Sequence, residues 1–230
     1  VLNVGGIVDT TWVKNDDAIS SALMAWQGGM EGGLAMAEVL TGIVNPSGKL
    51  TDTFANDIND YPSTYNFHES PDYVDYTEDI YVGYRYFETI PDADKKVCYP
   101  FGYGMSYTTF ALDDLTAKEA DGVVTVSVKV TNTGAYAGKE VVQVYTKAPQ
   151  GLLKKPAKEL KAFAKTGLLQ PKESQVLTIS FKKNDMASYD DLGKVVKSAY
   201  VLEKGTYEIY VGTSIRDVNK VDFEIVVAED

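Results

Sequence analysis

Hydrophobic and polar residues alternate with period two through most of the second half of the chain. Val124, Val126, Val128 and Val130 interleave with Thr125, Ser127, Lys129 and Thr131, and Leu177, Ile179 and Phe181 with Thr178 and Ser180. Tyr207, Ile209 and Val211 repeat the pattern against Glu208 and Tyr210, as do Phe223, Ile225 and Val227 against Asp222 and Glu224. Alternation of this kind puts one set of side chains on a buried face and the other on a wetter face of an antiparallel sheet. Further strands are predicted near residues 110–115, 141–145 and 160–163, with turns at Asn132-Thr133-Gly134, Gln170-Pro171 and Lys204-Gly205. About seven strands in this stretch predict an all-β sandwich of the fibronectin type III-like (immunoglobulin-like) kind over residues 108–230.

The first part of the chain follows different periods. Val1-Leu2-Asn3-Val4 ahead of Gly5-Gly6 reads as a strand buried on both faces, and residues 22–26 form a second apolar run ending at Trp26. Thr11, Trp12 and Val13 predict a short amphipathic piece between them. The glycine-rich stretch Gly28-Gly29-Met30-Glu31-Gly32-Gly33 leads into Leu34, Ala37, Val39, Leu40 and Ile43 at helical spacing, with Gly42 and Pro46 bracketing the stop. Asn45-Pro46-Ser47-Gly48 predicts a turn, and residues 50–54 an extended segment. A strand buried on both faces needs neighbours on either side. The expectation is therefore an α/β partial sandwich domain over residues 1–56 whose remaining strands lie on other polypeptide. Residues 57–107 hold ten tyrosines with weak periodicity and predict a Tyr-rich connector, hairpin-like or extended at residues 80–87.

Composition narrows the function classes. Hydrophobic residues at 44% and charged residues at 24% are ordinary globular usage and argue against disorder. No apolar run approaches the roughly 18 residues that span a bilayer, so no membrane partner is expected. A formal net charge of −11 argues against nucleic acid, which needs a basic face. Cys98 is the one cysteine, and no N-x-S/T sequon occurs, which favours a reducing, bacterial cytoplasmic setting without ruling out export. His68 is the one histidine, so a triad or multi-histidine metal site within this sequence has little to draw on.

Four residues stand out as candidates for substrate binding or domain contacts: Trp26, Glu31, Glu78 and Arg85. The glycine-rich stretch lacks the Lys-Ser/Thr of a phosphate loop and the spacing of a dinucleotide fingerprint. Glu31 falls near a helix N-terminus, where the positive end of the dipole favours a carboxylate. That lowers a pKa, the wrong direction for a general acid, so a cap or interface hydrogen bond is preferred to catalysis. Glu78 lies among tyrosines just before Gly83-Tyr84-Arg85, and a structural Glu78–Arg85 ion pair is the preferred reading. Trp26 ends an apolar run and could reach a sugar ring at a sheet edge, although core packing is the commoner role.

Several blocks, in order and spacing, resemble the C-terminal half of family 3 glycoside hydrolases, the β-glucosidase and β-xylosidase group. They are residues 1–6, Ala25-Trp26-Gln27-Gly28-Gly29-Met30-Glu31-Gly32-Gly33, Asn45-Pro46-Ser47-Gly48-Lys49-Leu50, Tyr81-Val82-Gly83-Tyr84-Arg85-Tyr86-Phe87, residues 99–110 and residues 205–212. The resemblance implies a TIM-like barrel carrying an aspartate nucleophile, an α/β sandwich carrying a glutamate acid/base, and a fibronectin III-like domain. It implies no cofactor and no metal. Neither catalytic carboxylate matches a position here, so no catalytic residue is assigned to this sequence. The implied role is scaffold and cleft wall for hydrolysis of β-glucosides or β-xylosides, with the barrel before or after this stretch. A non-catalytic carbohydrate-binding or adhesion module is the alternative, and it predicts a row of exposed aromatics on one sandwich face. An incomplete sheet also predicts self-association through its open edge.

Overall fold

The structure is a computed structural model that describes residues 1–229. The chain divides into two compact units, Val1–Met105 and Ser106–Asp230.

In the first unit, regular structure is sparse. Helix α1 spans Thr11–Asn15 and α2 spans Gly32–Leu40. Strand β1, Phe54–Ala55, pairs antiparallel with β2, Val97–Tyr99, and α3 covers Tyr84–Phe87. The expected doubly buried opening strand is corrected: Leu2 makes a single parallel bridge to Met24, and Val1 is 62% exposed. Leu2 N–H donates to Leu23 and Ala25 N–H to Leu2, so the two apolar runs pair on one side only. The turn expected at residues 45–48 falls earlier. Gly42, at φ +77°, takes the left-handed conformation that ends α2, and the Gly42 and Val44 N–H groups donate to the Val39 and Glu38 carbonyls. Residues 80–87 are likewise not a hairpin: Gly83 at φ +57° turns the chain into α3 and buries Phe87.

Tyr61, Tyr81, Tyr84, Tyr86, Tyr99 and Tyr103 of this unit are half-buried, whereas Tyr65, Tyr73 and Tyr76 are exposed. Tyr61 packs edge-on against Phe87 at 5.4 Å, and its hydroxyl accepts from Ala55 N–H and donates to the Thr53 carbonyl, both at 2.8 Å. Burial pushes its pKa up, against the Ala55 hydrogen bond. Phe87, Ala55, Ala93 and Val97 form a small buried cluster beneath Tyr61, Tyr86 and Ile90.

The second unit contains all seven strands that the alternation predicts. Strands β3 (Phe110–Ala120), β4 (Val123–Asn132) and β7 (Ser174–Lys182) form one sheet in the order β3-β4-β7. Strands β5 (Val141–Lys147), β6 (Glu159–Lys165), β10 (Gly205–Gly212) and β11 (Val218–Val227) form the other, ordered β11-β10-β5-β6. Val124, Val126, Val128 and Val130 are fully buried and meet Val142, Val144, Ile209 and Val211 from the facing sheet in one core. This three-plus-four antiparallel arrangement is a fibronectin type III-like sandwich. The alternation did not predict a two-stranded ribbon, β8 (Ser188–Asp190) with β9 (Ala199–Val201), inserted between β7 and β10.

Three buried polar groups organise the loops. Asn132 is fully buried and uses its whole amide: it donates to the Tyr136 and Leu169 carbonyls and accepts from Thr108 and from Gly134 N–H. A Cβ on Gly134 would sit 2.3 Å from the Thr108 hydroxyl, which explains a glycine in that turn. Glu203 and Lys155 form a buried ion pair whose side chains are 5% and 1% exposed. Glu203 also accepts from Leu152 N–H at 2.6 Å, and its backbone carbonyl accepts the Tyr207 hydroxyl at 3.0 Å, the tyrosine-corner arrangement of such sandwiches. Asp190, fully buried by surface area, closes the ribbon tip by accepting from four successive backbone N–H groups, those of Gly193, Lys194, Val195 and Val196, at 2.6–3.0 Å.

Replacing Lys155 with Met leaves Glu203 buried without its counter-charge, and we expect a loss of about 3–5 kcal/mol in chemical denaturation of the second unit. An unchanged midpoint would show that the pair carries no stability. For Asp190, burial raises the pKa but the four N–H donors outweigh it, leaving the carboxyl below its ordinary value. A depressed folded-state pKa contributes stability above the unfolded value that is lost as pH falls through the folded one. Hydrogen exchange at residues 193–196 should therefore stay slow while pH drops through the ordinary carboxylate range near ~3.9, and quicken only below it. Asp190→Ala should remove that protection at every pH.

Candidate functional site

The four candidate residues all lie in the first unit but do not assemble into a reacting centre. Trp26 adopts φ +51°, a conformation rare for a bulky residue, and its ring lies 6.2 Å from Phe54 at a 51° tilt. Glu31 is the N-cap residue of α2, yet its side chain makes no capping bond and stands exposed, which corrects the expected cap. Its backbone carbonyl serves instead, accepting from Ala35 N–H at 3.0 Å. Glu78 is half-buried in the turn closed by Tyr81 N–H, and its carboxylate joins none of the ion pairs found among the described residues. The expected Glu78–Arg85 ion pair is thus not formed, and Arg85 sits one element later, in α3.

Two sequence blocks do meet closely. Leu50 N–H donates to the Tyr103 carbonyl at 2.7 Å, Gly102 N–H donates to Leu50 at 2.8 Å, and the Lys49 ammonium reaches the Gly104 carbonyl at 3.2 Å. Backbones approach so tightly here that a Cβ on Gly104 would fall 2.3 Å from the Gly48 carbonyl oxygen. Gly28 is similar, since a Cβ there would lie 2.7 Å from the Gly32 Cα. Gly28 and Gly104 therefore serve close backbone packing, whereas Gly29, Gly32, Gly33 and Gly48 have open space around them. The loop signal was legible in the sequence, but the pairing across more than fifty residues was not.

Electrostatics in the second unit are structural. Glu208, on the outward side of β10, is held down to about 2 by the Tyr210 hydroxyl, then by Lys220 and Lys147 against the cost of burial. A carboxyl this acidic stays ionised at neutral pH and has no proton to donate. Among the described residues no three His, Cys, Asp or Glu side chains gather as a metal site, and no helix is long and apolar enough to cross a membrane. His68 is exposed and lies against Phe67 at 4.4 Å.

Short helices and strands followed by a fibronectin type III-like sandwich make up a domain pair found in glycoside hydrolases. Residues 1–107 match the glycosyl hydrolase family 3 C-terminal domain and residues 140–215 the fibronectin type III-like domain. The chain belongs to family 3 and corresponds to the C-terminal part of its enzymes. It is 63% identical to β-glucosidase A of Butyrivibrio fibrisolvens, with 97% of this chain and 29% of that protein covered. A β-glucosidase of Ruminococcus albus is 49% identical over 96% of this chain and 23% of its own length. Among solved structures, a β-glucosidase from Paenibacillus barengoltzii aligns with a TM-score of 0.89 and 51% identity, covering 99% of this chain and 26% of that one. The chain thus spans between a fifth and a third of the length of these relatives.

Gly104→Ala should force apart the two backbones at Gly48 and cost about 1–3 kcal/mol in the stability of the first unit. Thermal unfolding of that unit alongside Gly6→Ala, where nothing lies near the added Cβ, separates the clash from a general glycine effect.

Proposed function

We propose that this chain is the C-terminal portion of a retaining β-glycosidase of the β-glucosidase kind, acting on non-reducing-end β-glucosides or β-xylosides. In this reading the chain supplies scaffold and one wall of the cleft, while the nucleophile and acid/base stand on a TIM-like barrel. The observation that carries it is the match of nearly the whole chain to β-glucosidases that are three to four times longer. One structural feature supports it: α2 turns Leu34 and Leu40 outward at 60% and 59% exposure, as a helix that packs against further protein would. A reducing, cytoplasmic compartment goes with the single buried cysteine.

The adhesion-module alternative gains no support from the aromatics of the second unit. Tyr136, Phe163, Tyr189 and Tyr200 are exposed, but they come from a loop, β6 and the inserted ribbon and form no row on one sheet.

The chain alone should not hydrolyse a nitrophenyl β-glucoside. Supplied together with the barrel-bearing part of a family 3 enzyme as one polypeptide, it should support turnover that the barrel part alone does not reach. Activity that copurifies with the 230-residue chain by itself would sink the reading.

A further inference from the structure

We propose that the turn at residues 193–196 is a binding site for a small carboxylate, which the chain fills with its own Asp190 side chain. The four backbone N–H groups divide evenly over the two oxygens. Gly193 and Lys194 donate to Oδ1 at 2.8 and 3.0 Å, and Val195 and Val196 donate to Oδ2 at 2.6 and 2.9 Å. Successive main-chain N–H groups that converge in this way form an anion nest. Two donors on each oxygen suit a planar carboxylate, whose charge is shared between both. Asp190 itself is 0% exposed, so solvent does not compete for these donors.

The attraction comes from the main chain and not from side-chain charge. Asp191 is exposed at the tip together with Lys194 and Lys197, so the surrounding charges are of mixed sign. The frame of the site is also built without the Asp190 carboxylate. Strands β8 and β9 pair through Ser188 with Val201, Tyr189 with Tyr200 and Asp190 with Ala199, and the two tyrosine rings meet at 5.1 Å. Ser198 N–H donates to the Asp190 backbone carbonyl at 2.7 Å, and the left-handed Gly193 and Ser198, at φ +75° and +60°, turn the chain on either side of the nest. With the carboxylate removed, that frame still aims four N–H groups at one point, and donors left without an acceptor are costly. A free carboxylate entering there relieves the cost.

The test is hydrogen exchange in the full chain carrying Asp190→Ala, with sodium formate supplying the deleted group. In sodium chloride, the amides of residues 193–196 should exchange fast. Formate at ten times its dissociation constant should slow them about tenfold, because it binds the closed turn and not the open one. Asp190→Gly should respond to acetate in the same way. Asp190→Asn fills the space with an uncharged amide and should respond to neither. Formate should also raise the thermal midpoint of the second unit in Asp190→Ala above its value in chloride of equal ionic strength, a reading that withstands a general loss of stability. Slow exchange in Asp190→Ala without added carboxylate would overturn the proposal, since the turn would then hold itself. So would formate that neither slows exchange nor raises the midpoint, or an equal response to chloride or in the Asn variant.

Discussion

The sandwich of the second unit is held in register by what happens at Glu203. Its carboxylate binds the Lys155 ammonium and the Leu152 N–H, and its carbonyl takes the Tyr207 hydroxyl. One residue thereby ties the loop between β5 and β6 to the corner that leads into β10. Gly151 fits the same constraint, since a Cβ there would fall 2.3 Å from a Glu203 carboxylate oxygen. Hydrophobic burial drives the two sheets together, but it does not choose between loop conformations. Buried charges that tolerate only one set of partners do.

The first unit is stabilised differently. It has little regular structure and a small cluster around Phe87, and it relies on Tyr61, whose hydroxyl closes two backbone hydrogen bonds, and on glycines that let backbones touch. Such a unit gives an enzyme shaped surface at low cost in core volume. That suits the proposed role of wall and support better than the role of reactive centre.

The sandwich was legible in the sequence because period two survives wherever one face of a sheet is buried, as the four valines of β4 show. The ribbon was missed because Ser188–Asp190 and Ala199–Val201 are too short to display a period, and the loop between them is closed by hydrogen bonds from backbone N–H groups to Asp190, which leave no hydrophobic pattern. In the first unit the helix α2 and its stop could be read, whereas α3 could not. Tyr84–Phe87 has no helical pattern, and its turn depends on Gly83 and on the burial of Phe87. For the candidate site, the residues matched family blocks, but a block says that a position matters without saying whether its side chain or its backbone does. At Glu31 it is the backbone that takes part, and at Gly104 the absence of a side chain.

The anchoring of the ribbon tip has an evolutionary corollary. Because Asp190 grips main-chain hydrogens alone, side chains at residues 194–196 can be exchanged without loosening the loop, so long as its length and the left-handed Gly193 at φ +75° are kept. The tip is therefore a mutable badge on a fixed mount, where related proteins can acquire different surface identities while their frameworks stay unchanged.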